Sequence, residues 1–236
     1  MNFKEGEVLY FNKPLRWTSF NLVSQVRSSL VHKLKTKKLK VGHAGTLDPL
    51  ATGVMIICTG KATKRIEEFQ YHTKEYIATI QLGATTASFD LEKEVDATYP
   101  TEHITPEMVK EVLHRFIGEI QQVPPAFSAC KVDGARAYDL ARKGKEVELK
   151  PKTLVIDDIE LLACSLPEIK IRVVCSKGTY IRALARDIGE ALNSGAHLTG
   201  LIRTRVGEVM LSHCMDPGNF VEWLNQQSIE EDNKNV

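Results

Sequence analysis

A glycine-punctuated loop that leads into a fully apolar run constrains the fold of this chain most strongly. Residues 54–58 read Val-Met-Ile-Ile-Cys, which predicts a short strand buried on both faces. Gly42, Gly45 and Gly53 precede or open this run, and glycine permits backbone conformations and close approaches that other residues resist. The sequence therefore predicts a specialised loop that is anchored to a rigid core.

One acidic side chain, Asp48, lies in this loop. Pro49 disfavours helical backbone for the residue before it, so the carboxylate of Asp48 is presented from extended backbone. A carboxylate presented in this way is either a turn residue or a catalyst. Because Asp-Pro between glycines is a common turn composition, the local sequence favours the turn and leaves the catalytic interpretation open.

The region around Asp48 is strongly basic. Residues 25–65 contain nine lysines and arginines and Asp48 as their single acid, although the net charge of the whole chain is only +1. Five of the lysines fall within residues 33–40, among them Lys37 and Lys38. Such asymmetry indicates a phosphate-rich partner, and the alternative for the lysine run is a solvated surface loop. Lysines attract a polyanion by a sequence-independent term and do not specify which one binds.

Length and composition are those of an ordinary globular protein. The 236 residues are 43% hydrophobic and 26% charged, which suffices for one large domain or two small ones. The start of the chain has no apolar leader, and no apolar run approaches bilayer length, so we expect a cytoplasmic protein without membrane contact. Five scattered cysteines without a CxxC pair indicate reduced thiols. The seven histidines lack metal-ligand spacing, and we expect no metal.

Strand and helix signals alternate irregularly along the chain. Strands are predicted at residues 8–11, 76–82, 153–162, 168–175 and 198–210, the last of them bent near Gly207. Helices are predicted after the N-terminal caps Ser19, Thr105 and Thr179, and at residues 135–143. Irregular interleaving of this kind favours an α+β fold with a mixed sheet over regular βαβ winding.

Residues 42–53 read Gly-His-Ala-Gly-Thr-Leu-Asp-Pro-Leu-Ala-Thr-Gly, and this segment resembles the signature of the TruB family of tRNA pseudouridine synthases. Further blocks are similar to the family in order and spacing: Lys13-Pro14, Lys74-Glu75-Tyr76 and residues 124–129, 131–138, 175–182 and 195–198. The resemblance covers residues 8–210. It implies the pseudouridine synthase catalytic fold, which is α+β with a mixed, largely antiparallel central sheet flanked by helices.

The resemblance also implies an activity, the isomerisation of uridine to pseudouridine at position 55 of the tRNA T-arm, without a metal or an organic cofactor. The aspartate of the family signature is the nucleophile, and it corresponds to Asp48. Whether this carboxylate attacks uracil C6 or promotes elimination at the ribose is open. Arg182 is implied as the partner that keeps Asp48 ionised once RNA excludes water. Helical periodicity alone would make Arg182 a surface residue.

Four further residues take site roles by resemblance, and each has an ordinary alternative. Tyr76 would stack on the flipped base, whereas its place in the strand alternation predicts a core tyrosine. Tyr180 and Leu201 would line the uracil pocket, and they would otherwise be a core-packing helix residue and an ordinary strand leucine. His43 would lie against the nucleotides around the flipped base, and otherwise it is a turn histidine.

The chain departs from the family pattern in two places. Residues 86–90 keep Asp90, which would support the site, but have Ala87 where the family often has an acid. After residue 210 no room remains for the C-terminal RNA-binding module of many relatives. We therefore expect one catalytic domain over residues 1–228, a polar tail at 229–236 and a monomer. Lys37 and Lys38 would then contribute to tRNA binding.

Two other classes of function compete with the enzyme. An RNA-binding or RNA-folding module without turnover would not need its carboxylate, and the presence of Asp48, Tyr76 and Arg182 argues against it. A hydrolase that relies on Asp48 would need a paired carboxylate or a metal cluster, and the sequence has neither at a recognisable spacing. The sequence therefore favours an isomerase whose partner is the T-arm of tRNA.

Overall fold

The strands and helices of this chain divide between two units. The computed structural model describes residues 1–128, 131–132, 135–136 and 149–230. The first unit comprises Met1–Lys74 and the chain from Ile202 onwards, and the second comprises Glu75–Leu201.

The described elements follow one another in an α+β order. They are β1 (Val8–Lys13), α1 (Ser19–Lys33), β2 (Val41–His43), β3 (Ala51–Thr59), α2 (Ile66–Tyr71), β4 (Lys74–Leu82), β5 (Ala84–Thr86), β6 (Val95–Thr98), α3 (Pro106–Arg115), β7 (Gly118–Gln122), β8 (Lys131–Val132), β9 (Ala135–Arg136), β10 (Lys152–Ser165), β11 (Glu168–Cys175), α4 (Ile181–Ala191), β12 (Ala196–Val206), β13 (Val209–Met210) and α5 (Phe220–Asn225).

The buried strand predicted at residues 54–58 is confirmed as the centre of β3. All five residues of this run are fully buried. In the first unit β1 lies antiparallel to β3 with Val8 opposite Cys58, and β2 also pairs antiparallel with β3. Because β3 has neighbours on both sides, its apolar side chains form the centre of this unit's core, and the loop before it is fixed at its base.

Helix α1 begins beside the loop of Asp48. Its N-cap is Thr18, whose hydroxyl accepts a hydrogen bond from the backbone N–H of Asn21. The prediction of Ser19 as the cap is therefore wrong by one residue. The Ser19 hydroxyl instead donates to the carbonyl oxygen of Leu47 at 3.0 Å and accepts from its N–H at 2.9 Å. The start of α1 is thus bonded to the residue that precedes Asp48.

In the second unit the sheet order is β12-β4-β11-β10-β7. Strand β10 pairs antiparallel with both β11 and β7. Along β4 the residues Tyr76, Ala78, Ile80 and Leu82 are buried, and this is the predicted parity. The predicted α+β fold with a largely antiparallel sheet is confirmed.

Two helix predictions need correction. Helix α4 has Tyr180 as its N-cap without a side-chain capping bond, and the hydroxyl of Thr179 donates instead to the carbonyl oxygen of Ser176 at 3.1 Å. The helix predicted at residues 135–143 is wrong at its start, because residues 135–136 form β9. Its remaining residues lie outside the described part of the chain.

The predictions for the last strand, the cysteines and the domain bounds have different outcomes. The strand predicted at residues 198–210 corresponds to β12 and β13, and Gly207 turns the chain between them with φ +56°. Within the described residues the cysteines are free thiols, as predicted, and Cys130 lies outside them. None of the described helices is long and apolar enough to cross a membrane. That residues 1–228 form one catalytic domain stays a prediction, and residues 231–236 of the predicted tail lie outside the described residues.

Candidate active site

Asp48 lies in irregular backbone between β2 and β3, as the following proline predicts. The carbonyl oxygen of Asp48 accepts a hydrogen bond from the N–H of Ala51 at 3.0 Å. The carbonyl oxygen of Pro49 accepts one from the N–H of Arg16 at 2.7 Å, and Arg16 has a positive φ of 68°. Asp48 is half-buried, and these two hydrogen bonds fix the backbone at Asp48 and at the residue that follows it.

A buried arginine braces this loop across its base. Arg203 on β12 is only 2% exposed. Its guanidinium donates from Nε to the carbonyl oxygen of Val54 at 2.8 Å, from Nη2 to that of Gly45 at 3.1 Å and from Nη1 to that of Thr46 at 3.4 Å. These bonds hold the backbone before and after Asp48, and they supply the partners that a buried guanidinium requires.

Gly53 permits the close approach of Arg203 to the loop. Its φ is +108°, and a Cβ atom at this position would overlap the backbone carbonyl oxygen of Arg203. A side chain here would therefore be excluded by sterics as well as by backbone conformation. Gly53, which the sequence assigned to the loop, lies within β3 and allows its backbone to approach that of β12 closely at Arg203.

Lys13 brings a second positive charge to the first unit's site. It is fully buried, and Nζ donates to the carbonyl oxygens of Trp17 at 2.6 Å and Pro14 at 3.0 Å. Burial lowers the pKa of Lys13 from 10.5 to about 8, the negative charge of Asp48 acts in the opposite direction, and Arg203 lowers it further. Lys13 and Asp48 are thus electrostatically coupled, a role that the sequence did not assign to this lysine.

His43 ends β2, five residues before Asp48. Burial lowers its pKa below the ordinary 6.5, and the charge of Arg203 lowers it further, so the imidazole is neutral at pH 7. Its Nδ1 atom is buried and has no hydrogen-bond partner among the described residues. The contact of His43 with nucleotides stays a prediction.

In the second unit Arg182 is held as firmly as Arg203 is in the first. Its side chain is 5% exposed, and it donates to the carbonyl oxygens of Ser88 and Phe127, each at 3.0 Å. Arg182 Nε lies 3.7 Å from Oδ2 of Asp90. The interpretation of Arg182 as a surface arginine is wrong. Its predicted pairing with Asp48 stays a prediction.

Asp90 is a buried carboxylate with well-defined partners. Its Oδ1 accepts from the hydroxyl of Ser88 at 2.6 Å and from the N–H of Glu92 at 3.0 Å. The other oxygen faces Arg182. This geometry supports the predicted role of Asp90, because a carboxylate fixed in this way holds the guanidinium in one orientation.

Tyr76, Tyr180 and Leu201 also lie in the second unit. Tyr76 is 8% exposed on β4, and Tyr180 and Leu201 are half-buried. The buried amide of Gln122 holds the backbone of Tyr180: Oε1 accepts from its N–H at 2.9 Å and Nε2 donates to its carbonyl oxygen at 3.2 Å. Sequence reasoning did not single out Gln122, which ends β7, a strand that the sequence did not predict.

Lys37 and Lys38 are exposed in irregular backbone after α1. Of the other site residues, Asp48 and His43 lie in the first unit with Lys13 and Arg203. Arg182 and Asp90 lie together in the second unit. Exposure of the two lysines agrees with both interpretations of the lysine run, and their contact with RNA stays a prediction. Among the described residues no cluster of three or more histidine, cysteine or acidic side chains is arranged to hold a metal ion.

The α+β fold with its largely antiparallel central sheet matches that of solved pseudouridine synthases. Residues 32–181 match the family described as TruB family pseudouridylate synthase (N terminal domain). A tRNA pseudouridine synthase B from Bacteroides fragilis is 80% identical over 98% of this chain and 99% of its own length. One from Flavobacterium johnsoniae is 51% identical over 94% and 97%. The chain belongs to the TruB family.

Solved structures agree with this family. A chain in a crystal structure of a Cbf5-Nop10-Gar1 complex is 27% identical, with a TM-score of 0.70 over 95% of the present chain. A second, in a structure of an H/ACA RNP bound to a substrate RNA containing 2′-deoxyuridine, is 26% identical with a TM-score of 0.68. The present chain spans 56% and 54% of those two chains.

Proposed function

We propose that this protein isomerises uridine to pseudouridine at position 55, in the T-arm of tRNA, with Asp48 as the nucleophile. The observation that carries the proposal is the loop of Asp48, which Arg203 braces through three backbone carbonyl groups. Relatives that are 80% and 51% identical are named tRNA pseudouridine synthase B, and this supports tRNA as the substrate.

The reaction exchanges one bond of the uracil ring for another. The bond between N1 and C1′ of the ribose breaks, the base rotates, and C5 forms a bond to C1′. The hydrogen on C5 leaves to solvent and N1 gains a proton, so the product is an isomer of the substrate. Asp48 acts either by addition to C6 or by promoting elimination at the ribose, and both routes require an ionised carboxylate.

Lys13 is the positive charge of the first unit that interacts electrostatically with Asp48. Bound RNA excludes water from the loop, and desolvation disfavours the charged form of a carboxylate. The positive charge of Lys13 opposes that cost, and hydrogen bonds to the carbonyl oxygens of Pro14 and Trp17 hold it in place. Fixed charges stabilise an anion without the reorganisation that solvent would need. Arg182, oriented by Asp90, is proposed as a further partner of Asp48.

The target base must leave its stack to reach Asp48. Flipping costs a few kcal/mol, and stacking on an aromatic side chain returns about 1–3 kcal/mol per base. We propose Tyr76 as that stacking platform, with Tyr180 and Leu201 as walls of the uracil pocket. His43 would lie against the nucleotides around the flipped base. Lys37 and Lys38 would contact the RNA backbone.

A tritium-release assay tests the substrate and the position together. Purified protein is incubated with a tRNA transcript that carries tritium at C5 of its uridines, and with a matched transcript that has cytidine at position 55. We expect release of one equivalent from the first transcript and none from the second. Equal release from both would exclude position 55. No release from either, together with tight binding, would identify a binding module without turnover.

We also propose that the protein acts as a monomer in the cytoplasm and without a metal or organic cofactor. The free thiols at the described cysteines support a reducing compartment. Size-exclusion chromatography with light scattering tests the monomer. For the metal, we expect unchanged turnover after dialysis against EDTA, and a loss of turnover that zinc or magnesium restores would contradict this.

A further inference from the structure

We propose that Phe89 and Arg186 are positioning residues for the isomerisation, because the contact between their side chains fixes the turn that orients Arg182. The turn comprises residues 86–90, and both the turn and α4 belong to the second unit. Sequence reasoning assigned a role in this turn to Asp90 alone. The inference rests on the proposed function, and it adds two residues that act through Asp90 and Arg182.

The backbone of Phe89 has an unusual conformation. Its φ is +61°, in the left-handed region that bulky side chains rarely adopt. The N–H of Phe89 donates to the carbonyl oxygen of Thr86 at 3.0 Å, and its carbonyl oxygen accepts from the N–H of Leu198 at 2.9 Å. Strained residues of this kind persist only where their surroundings fix them, and they cluster at functional sites. The conformation of Phe89 therefore indicates a functional constraint that a neighbouring contact must stabilise.

Both chain neighbours of Phe89 contact Arg182. The carbonyl oxygen of Ser88 accepts from Nη1 of Arg182 at 3.0 Å, and Oδ2 of Asp90 lies 3.7 Å from Nε of Arg182. The hydroxyl of Ser88 also donates to Oδ1 of Asp90 at 2.6 Å. A change in φ at Phe89 would rotate Ser88 relative to Asp90. The orientation of the Arg182 guanidinium therefore depends on the conformation of the residue between its two partners.

Arg186 holds the ring of Phe89. The central carbon of its guanidinium lies 4.9 Å from the centroid of the half-buried ring, within the roughly 6 Å at which a cation is attracted to an aromatic face. Arg182 and Arg186 lie four residues apart on α4, so their side chains leave the same face of the helix. The turn is therefore attached to α4 at two points that are one helical turn apart.

Hydrogen bonds fix the guanidinium of Arg186 in its place over the ring. Its Nε and Nη2 atoms donate to Oδ1 of Asp187 at 2.8 and 2.6 Å, and Nη2 also donates to the carbonyl oxygen of Val123 at 3.2 Å. The side chain of Arg186 is only 17% exposed. Since a cation–π contact is stronger where water is partly excluded, this arginine is a rigid support for the strained residue.

The alternative is that the contact between Phe89 and Arg186 stabilises the fold and has no part in the reaction. Substitutions would then lower Tm, and the folded protein would react at an unaltered rate. Single-turnover rates at saturating tRNA, measured well below Tm, separate the two roles, because they report only on the folded protein with its substrate bound.

The first variant is Phe89→Leu, which keeps an apolar side chain in the left-handed conformation but removes the aromatic face. We expect the single-turnover rate to fall by about fivefold, because small displacements of aligned groups reduce rates. The Kd for tRNA should stay unchanged. Phe89→Tyr keeps the aromatic face and should react at the rate of the unaltered protein. The matched control is Phe116→Leu, at a half-buried phenylalanine of the same unit that caps α3, and its rate should also be unaltered.

A trifluorinated phenylalanine at position 89 tests the contact with Arg186. Fluorine atoms withdraw electron density from the face of the ring and change its shape little, so they weaken the attraction to the guanidinium. We expect the rate to fall towards that of Phe89→Leu. Because the ring keeps its volume, this variant gives the result even where Phe89→Leu is unstable, and an unaltered rate would exclude a role for Arg186.

A double variant tests whether the effect passes through Asp90. In an Asp90→Asn background, Phe89→Leu should lower the rate by less than about twofold, because the effects of residues that act through one group do not add. The proposal would be overturned by equal effects in the two backgrounds, by an unaltered rate in Phe89→Leu, or by an equal loss in Phe116→Leu. Absent turnover by the unaltered protein would instead overturn the proposed function, and this inference with it.

Discussion

Arg203 donates from Nε to the carbonyl oxygen of Val54 at 2.8 Å and so ties β12 to the strand that follows Asp48. The other two nitrogens of the guanidinium reach the carbonyl groups of Gly45 and Thr46, which precede Asp48. A single buried side chain therefore spans the loop and fixes the position of its carboxylate. In the proposed reaction this bracing is the main contribution of the first unit to preorganisation.

The first prediction concerns Arg203→Lys. A lysine keeps the charge, but one ammonium group cannot reach carbonyl groups on both sides of the loop, so buried acceptors are left unpaired. We expect the free energy of unfolding to fall by roughly 2–4 kcal/mol. Turnover should fall by roughly 10- to 100-fold, because displacement of the carboxylate by 1 Å is costly. Urea denaturation and single-turnover kinetics measure the two effects.

The control for this change is Arg115→Lys, a conservative substitution of an arginine that is 65% exposed. It should leave both quantities within experimental error of the unaltered protein. If Arg203→Lys behaves like the control, the brace is not required.

The second prediction concerns Gly53→Ala. The new Cβ would overlap the carbonyl oxygen of Arg203, and the backbone has φ +108°. We expect a loss of stability above the roughly 1–3 kcal/mol of backbone strain alone, because the overlap also displaces Arg203. Gly218→Ala is the matched control, since nothing lies within 4 Å of its Cβ position. Similar Tm values for the two variants would show that β3 and β12 are not held as close as described.

The third prediction is a pH dependence that arises from Lys13. Its pKa is about 8, so its positive charge beside Asp48 is lost as the pH rises through that value. We expect single-turnover rates to fall above a pH of about 8. In Lys13→Met the rate should be low and independent of pH between 7 and 9. A variant of an exposed lysine, Lys61→Ala, should keep the profile of the unaltered protein.

Titration of Lys13 should raise the free energy of unfolding over the pH range in which it lowers the reaction rate. The pKa of Lys13 is lower in the folded protein than its ordinary 10.5, so the unfolded chain binds more protons between about pH 8 and pH 10.5. The contribution of Lys13 to stability therefore rises with pH over this window, by about 1.4 kcal/mol for each pKa unit of the shift. Urea titrations measure the free energy of unfolding at several pH values. The value for the unaltered protein minus that for Lys13→Met should rise between about pH 8 and pH 10.5, and a constant difference would contradict the linkage.

The fourth prediction concerns Asp90→Asn. The amide keeps the shape of the side chain and is still able to accept from the hydroxyl of Ser88, but it no longer carries the charge that faces Arg182. We expect turnover to fall by about tenfold, which corresponds to about 1.4 kcal/mol. Asp96→Asn, at a carboxylate that accepts a hydrogen bond from Thr85, should leave turnover unchanged. Unaltered turnover in Asp90→Asn would assign Asp90 to folding alone.

Local sequence patterns were sufficient for the strands near the site. The apolar run at residues 54–58 predicted a buried strand because every side chain is apolar, and the alternation along residues 76–82 predicted which face of β4 is buried. Among the helix starts, the predicted cap Thr105 of α3 is confirmed, whereas the predicted cap of α1 is wrong by one residue. Thr18 and Ser19 are both acceptable caps, and the choice depends on a bond from Ser19 to Leu47, which lies 28 residues away.

The bracing of the site was outside the reach of sequence reasoning. The partners of Arg203 are backbone carbonyl groups 149 to 158 residues earlier in the chain, and any residue type supplies such a group. Gln122 and Tyr180 are likewise joined through backbone atoms. Asp48 and Arg182 were identified through the family resemblance, whereas local patterns favoured a turn and a surface residue. Burial of Arg182 corrects the second interpretation.

The most direct test of the central claim is tritium release by Asp48→Asn from a tRNA transcript that carries 5-tritiated uridine. Asp157→Asn, at an exposed carboxylate of β10, is the matched control. We predict full release by the control and none above background by Asp48→Asn, with tRNA binding retained by both. Release by Asp48→Asn at the rate of the unaltered protein would contradict the assignment of Asp48 as the nucleophile.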